Sequence, residues 1–201
     1  NRDGCGDSVR GIFGGGYPFS AQIDYITFES LGNAIDFGDL TQTRYNTGAL
    51  SSSTRAVFAG GNASPTSPIS NVIDFVTIRT TGNATDFGDL IGTMGTGGFS
   101  GTSNSTRGLI GIADSNSIEF ITIATLSNAQ DFGDATYNLG SHAAAGSPTR
   151  AVFAGGGASP APLTNSMSFV EILTTGNGLD FGDLTDGRQS LGGFSNGHGG
   201  L

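Results

Sequence analysis

The sequence predicts an all-β fold, a β-propeller of four-stranded antiparallel blades, and three observations predict it. A unit of about 50 residues recurs four times, the period of a propeller blade. Each unit holds four short runs rich in Val, Ile, Phe and Tyr, bounded by Gly, Asn, Ser, Thr or Pro, the pattern of strands and tight turns. No stretch carries a helical period.

The elements of the unit come in a fixed order. An arginine opens the first apolar run: Arg10 in RGIFGGG, Arg55 in RAVFAGG, Arg107 in RGLIGIA and Arg150 in RAVFAGG. These runs are apolar on both sides of the strand, as a sheet packed between two neighbouring sheets requires. The second run is IDYITF from Ile23, IDFVTI from Ile73, IEFITI from Ile118 and MSFVEI from Met167. The tetrapeptide Asp-Phe-Gly-Asp follows, beginning at Asp36, Asp86, Asp131 and Asp180, with separations of 50, 45 and 49 residues. Ahead of it, TTGNATDFGD at Thr80–Asp89, echoed at Thr174–Asp183, places Gly-Asn where a hairpin turn needs positive φ. A small apolar run closes the unit: GALS from Gly48, GGFS from Gly97, AAAG from Ala143 and GGFS from Gly192.

One domain over 1–201 is expected, with repeats over about 8–50, 51–100, 101–145 and 146–190. A propeller must join its last blade to its first to avoid exposed sheet edges. LGGFSNG near the C-terminus copies the run that begins a blade better than the N-terminal DGCGDS does. Residues 191–197, Leu191–Asn196 in particular, are therefore expected to supply the innermost strand of blade one and close four blades. The competing reading is a fragment of a larger propeller.

Composition narrows the function classes. The chain has 35 glycines in 201 residues against the usual ~7%, and 36% hydrophobic residues, enough for a packed core in a turn-rich protein. Seventeen acidic residues face eight basic ones, all arginine and scattered, for a net charge of −9, so nucleic acid is not an expected partner. No apolar run approaches the ~18 residues of a membrane-spanning helix, and no membrane insertion is expected. The single cysteine, Cys5, excludes an intramolecular disulfide.

An apolar strand ending in Gly-Gly, an acidic-aromatic pair (Asp24-Tyr25, Asp74-Phe75, Glu119-Phe120) and an arginine before the next unit together resemble the kelch repeat. In this sequence Phe37, Phe87, Phe132 and Phe181 stand where kelch repeats usually have tryptophan, Ile112-Ala113 replaces Gly-Gly in the third copy, and the arginine after the fourth strand survives as Arg44 and Arg188. The phrases VTIRTTGNATDFGDL and STRAVFAGG resemble the kelch-like arrays of marine bacteriophages, cyanophages especially. That resemblance implies a tail-fibre or other virion-associated protein.

The repeat also sorts the candidate site residues. Asp36, Asp39, Asp86, Asp89, Asp131, Asp134, Asp180 and Asp183 are eight of the 17 acids, but each pair is interrupted by Phe-Gly, unlike the alternate spacing of a calcium loop. Together with Arg10, Arg55, Arg107 and Arg150 they read as structural residues, for pairing or turn capping, and no metal or cofactor is expected. Neither His142 nor His198 repeats, and no catalytic constellation is visible. Strand alternation sends the loops after second and fourth strands to one face, where Tyr17, Arg44, Tyr45, Tyr137 and Arg188 are the candidate ligand-binding residues. The expected function is a non-enzymatic, virion-associated or extracellular propeller, structural or binding a host-surface glycan or protein, with other virion proteins as further partners. The alternatives are a secreted carbohydrate-active enzyme domain and a protein-interaction adaptor.

Overall fold

A computed structural model of the chain describes residues 3–63, 69–92, 98–157 and 162–194. Blade one comprises β1 (Asp3–Gly6), β2 (Arg10–Gly14), β3 (Ser20–Thr27) and β4 (Ile35–Tyr45). Blade two comprises β5 (Gly48–Ser51), β6 (Arg55–Ala59), β8 (Val72–Thr77) and β9 (Thr85–Asp89), with the two-residue β7 (Asn62–Ala63) leaving it to pair with the end of β4. Blade three holds β10 (Ser100–Ser103), β11 (Arg107–Gly111), β12 (Ser115–Thr122) and β13 (Gln130–Leu139). Blade four holds β14 (Ala143–Gly146), β15 (Arg150–Ala154), β16 (Ser166–Glu171) and β17 (Leu179–Asp183). The fold is all-β, four antiparallel sheets arranged as a four-blade β-propeller.

The Asp-Phe-Gly-Asp tetrapeptide is a β-bulge. In blade one Ile23 pairs with Gly38 and Asp24 with Asp36, so Phe37 is the extra residue; Phe87, Phe132 and Phe181 are skipped in the same way. The glycine after each phenylalanine has positive φ, between 119° and 143°. The preceding aspartate accepts a hydrogen bond from that glycine's N–H at Asp36, Asp86 and Asp180. A Cβ on Gly38, Gly88 or Gly133 would lie 2.5 Å from backbone of the next blade, which is why no other residue fits there.

The bulge aims each phenylalanine into an inter-blade core. Phe37 packs with Ile12 of its own blade and Phe58, Val76 and Ile78 of blade two. Phe87 does the same between blades two and three, and Phe132 between blades three and four. Each ring meets the aromatic residue of the third strand edge-on, with centroids 5.8 Å apart for Tyr25–Phe37 and 5.9 Å for Phe75–Phe87 and Phe120–Phe132. Over that third-strand ring lies the repeat arginine: Arg10, Arg55, Arg107 and Arg150 sit 4.4–4.6 Å from the centroids of Tyr25, Phe75, Phe120 and Phe169. Three of the four then reach across, donating to the carbonyls of Ile78, Ile123 and Ile172 in the following blade. The eight Asp-Phe-Gly-Asp acids form no ion pair with these arginines among the described residues, where the ion pairs are Arg44–Asp74, Arg79–Asp7 and Arg150–Glu171.

One expectation is corrected. The innermost strand of blade one is Asp3–Gly6, paired along its length with Gly11–Gly14, and not the C-terminal segment. Residues 191–194 form no strand, and 195–197 of the expected closing strand lie outside the described residues. The poorer sequence copy pairs because an inner strand needs little from its side chains: DGCG meets β2 through backbone, and Asp7 caps the turn by accepting from the N–H groups of Val9 and Arg10. Ser52, Asn104 and Ser147 cap the matching turns of the other blades.

The bulged phenylalanines are not equivalent, since Phe181 of blade four is 47% exposed while Phe132 is 2% exposed. Phe132→Ala is expected to cost about 3–5 kcal/mol in urea unfolding, the usual penalty for emptying a buried ring. Phe181→Ala is expected to cost less than half of that.

Candidate functional site

The structure puts two of the five candidate residues in contact. Tyr17, in the turn between β2 and β3, is 72% exposed and meets Tyr45 edge-on at 5.5 Å; Phe19 meets the same ring from 5.2 Å. Tyr45 is the last residue of β4, held where Asn62 of β7 pairs with it. The long β4 and its small partner strand thus carry an aromatic cluster out onto the face where second and fourth strands end.

Arg44 is corrected from ligand-binding residue to buried structural cation. Its side chain is fully buried, donating to the carbonyls of Gly60, Val72 and Phe58 and to Asp74 Oδ2 at 2.6 Å. Thr41 donates to Asp74 from both its N–H and its hydroxyl. Burial lowers the Arg44 pKa from its ordinary value, with the Asp74 charge and hydrogen bond pulling the other way. Glu119 holds the corresponding place between blades two and three, accepting from the N–H groups of Ile91 and Gly92, and burial raises its pKa against those two bonds. Between blades three and four the acceptor is Ser168, for the N–H of Thr136.

Tyr137 lies within β13, half-buried against the core between blades three and four. Burial pushes its phenol above the ordinary range, and its hydroxyl has no partner among the described residues. Arg188 is exposed and donates to Thr185 Oγ1 and the Asp186 carbonyl. Neither residue joins the Tyr17–Phe19–Tyr45 cluster through a ring contact.

Asn46, the residue after Tyr45, lines a cavity of about 230 Å³ that the repeat pattern does not reveal. It opens where each chain bend leaves a fourth strand for the next inner strand, and Asn46, Ser141 and Ser190 occupy that bend with φ of 59°, 52° and 58°. Asp3, Ser100 and His142 complete the polar lining. Burial raises the Asp3 carboxyl to about 6. Asn46 Oδ1, Ser100 Oγ and both ring nitrogens of His142 are buried with no hydrogen-bond partner among the described residues. Burial pushes His142 down to about 3; the Leu139 carbonyl pulls the other way without reaching hydrogen-bond geometry at either nitrogen. His142 packs against Gly111, where a Cβ would collide with its Nε2.

These residues escape a reading of the sequence because they share a position and not a residue type. His142 stands where blade three has Phe99 and blade two has Thr47, each one residue before the first paired residue of its inner strand. The available signal was the break itself, one polar ring among otherwise apolar or small copies. No group of three or more His, Cys, Asp or Glu side chains among the described residues is placed to hold a metal ion.

Four blades of this plan define the fold of a β-propeller. Among solved structures the chain is similar to YjhT, a propeller of that type, with a TM-score of 0.75 and 9% identity over 94% of this chain and 67% of that one. No protein-family model matches the chain, and no curated protein sequence matches it.

Two outcomes follow from the buried groups. Asp74→Ala, which strands the Arg44 cation, is expected to lower unfolding stability by about 3–5 kcal/mol, whereas the double variant Arg44→Met/Asp74→Leu loses much less. Between pH 6.5 and 3 the unfolded chain binds a proton at His142 that the folded chain does not, so the stability this ring contributes falls as pH drops through that window, while Asp3, raised from 3.8 to about 6, contributes in the opposite sense between those two values. The slope is at most about 1.4 kcal/mol per pH unit. His142→Phe, copying Phe99, is expected to lose the His142 share, so that its urea midpoint relative to the parent's rises from about pH 6.5 through 5.5 to 4.5.

Proposed function

We propose that the chain is a non-enzymatic propeller module, virion-associated or otherwise extracellular, that binds a host-surface glycan on the face where second and fourth strands end. The observation that carries this reading is the exposed Tyr17 held edge-on by Tyr45, with the next residue, Asn46, lining a polar cavity that also holds the Asp3 carboxyl. Tyrosine faces offer rigid surface to the C–H face of a sugar at small entropic cost. Asn46, Ser100, Ser141 and Ser190 supply neutral donors and acceptors for hydroxyl groups. His142 belongs with them: a ring pushed down to about 3 is uncharged at neutral pH and is poorly matched to proton shuttling there. The net charge of −9 disfavours polyphosphate ligands. The virion assignment rests on the phage-like wording of VTIRTTGNATDFGDL and STRAVFAGG.

The test is binding of the labelled protein to an array of bacterial surface polysaccharides and to whole cyanobacterial cells. Saturable binding is expected, with Tyr17→Ala and Tyr45→Ala each weakening it about tenfold, ~1.4 kcal/mol, and Arg188→Ala leaving it unchanged. A folded protein that binds nothing, or binds equally well without both tyrosines, overturns the reading.

A further inference from the structure

The three interfaces between successive blades are built from one set of contacts, and among the described residues that set is missing where blade four and blade one would meet. At each of the three, a valine, leucine or isoleucine of the second strand (Ile12, Val57, Leu109) is fully buried toward the next blade; its counterpart Val152 is only half-buried. The residues that receive the preceding blade's face are buried in blades two to four (Phe58 and Ile78, Ile110 and Ile123, Phe153 and Ile172), whereas Phe13 and Phe28 of blade one are 37% and 59% exposed. Arg150 turns back to Glu171 of its own blade, where the other three repeat arginines cross to the next. Gly38, Gly88 and Gly133 are overlain by the neighbouring blade's turn, and Gly182 has open space around it.

What continues from blade four is the start of another blade. Ser190 donates its N–H to the Ser141 carbonyl, one residue earlier than the bond from Phe99 to the Asn46 carbonyl where blade three begins. Leu191 lies over Gly155 as Phe99 lies over Gly60. Gly193 lies against Ala144 of β14, as Gly101 lies against Ala49 of β5. Gly4, Ala49, Gly101, Ala144 and Gly193 all line the second central cavity, of about 490 Å³, so five inner-strand positions surround it and not four.

We propose that the exposed face of blade four, with Val152 and Phe181, is the docking surface for a fifth blade of the same plan, carried by the same polypeptide and begun by Ser190–Phe194. The Phe13 and Phe28 face of blade one receives the last blade of the enlarged ring. Its size follows from the comparison: four blades overlay 67% of the YjhT chain, which leaves room for about two more.

The test compares the 201-residue chain with one in which residues 53–140 of its own sequence are joined after Asn196, supplying two further blades in register. Amide hydrogen exchange is read at the second strands of the four blades, and mass by sedimentation. The expected result is a monomeric 201-residue chain in which Arg10–Gly14 and Arg150–Ala154 exchange at least about tenfold faster than Arg55–Ala59 and Arg107–Gly111. In the extended chain, also monomeric, the four strands exchange alike. Val152→Asp should shift the unfolding midpoint of the extended chain as far as Leu109→Asp does, while leaving the shorter chain nearly unchanged. A chain that folds only when extended supports the proposal equally. Equal protection of all four strands in a 201-residue monomer overturns it, because the end faces then seal each other. So does protection of the end strands in a dimer, which makes the occupant a second copy, and so does an extension that slows neither end strand.

Discussion

A four-stranded sheet that is apolar on both faces is stable only when each face is covered, and here every other feature follows from that requirement. The blades are too thin to bury their own side chains, so the cores lie between sheets and not within them. Burial by itself has no direction, and a stack of alike sheets needs something to set register. The repeat arginine does this. Its guanidinium stacks on the aromatic ring of its own third strand while its N–H reaches a carbonyl of the next blade, tying the two sheets through one planar group. Lysine, with a compact ammonium, cannot make both contacts in that geometry, and the chain contains none.

The bulge at Asp-Phe-Gly-Asp solves the companion problem on the fourth strand. An extra residue in an antiparallel ladder rotates the strand locally and re-aims a side chain that regular alternation would send elsewhere. The phenylalanine thus enters the inter-blade core, the glycine lets the neighbouring turn approach, and the first aspartate satisfies the glycine N–H. The next blade then answers with its own turn: Asn83, Asn128 and Asn177 accept from the N–H groups of Asp39, Asp89 and Asp134. Eight acids that look like a charged array are for the most part the solvent side of a backbone device.

Much of this is legible in the sequence because repetition shows which residues the fold requires. Four copies of one tetrapeptide at nearly constant spacing identify blades, and the doubly apolar RAVFAGG run identifies sheets covered on both faces. What escapes is whatever depends on partners distant in sequence. Arg44 reads as a surface arginine after a strand, but Asp74, thirty residues on, draws it into the seam between two blades. Asp3–Gly6 reads as a poor strand because its pairing is carried by backbone, and backbone leaves no mark in residue type. The aromatic face is legible in Tyr17 and Tyr45, while the cavity beside it is not.

That last difference has a physical basis. Positions facing a neighbouring blade are constrained by close packing, so they repeat: Phe, Gly, Arg and the β-branched residues recur in register. Thr47, Phe99 and His142, at the mouth of the central channel, are buried too, with Phe99 over Gly60 and His142 over Gly111 of the preceding blade. The inner strands there carry small residues, Gly4, Ala49, Gly101 and Ala144, and are linked by the hydroxyls of Ser51 and Ser103, so the ladder itself does not fix the type of the residue just before each strand. Thr47, Phe99 and His142 occupy that one place in three blades. In a repeat protein, chemistry that distinguishes one blade from the next also enters at buried positions whose contact is kept while the residue type changes, as with Phe99 over Gly60 and His142 over Gly111.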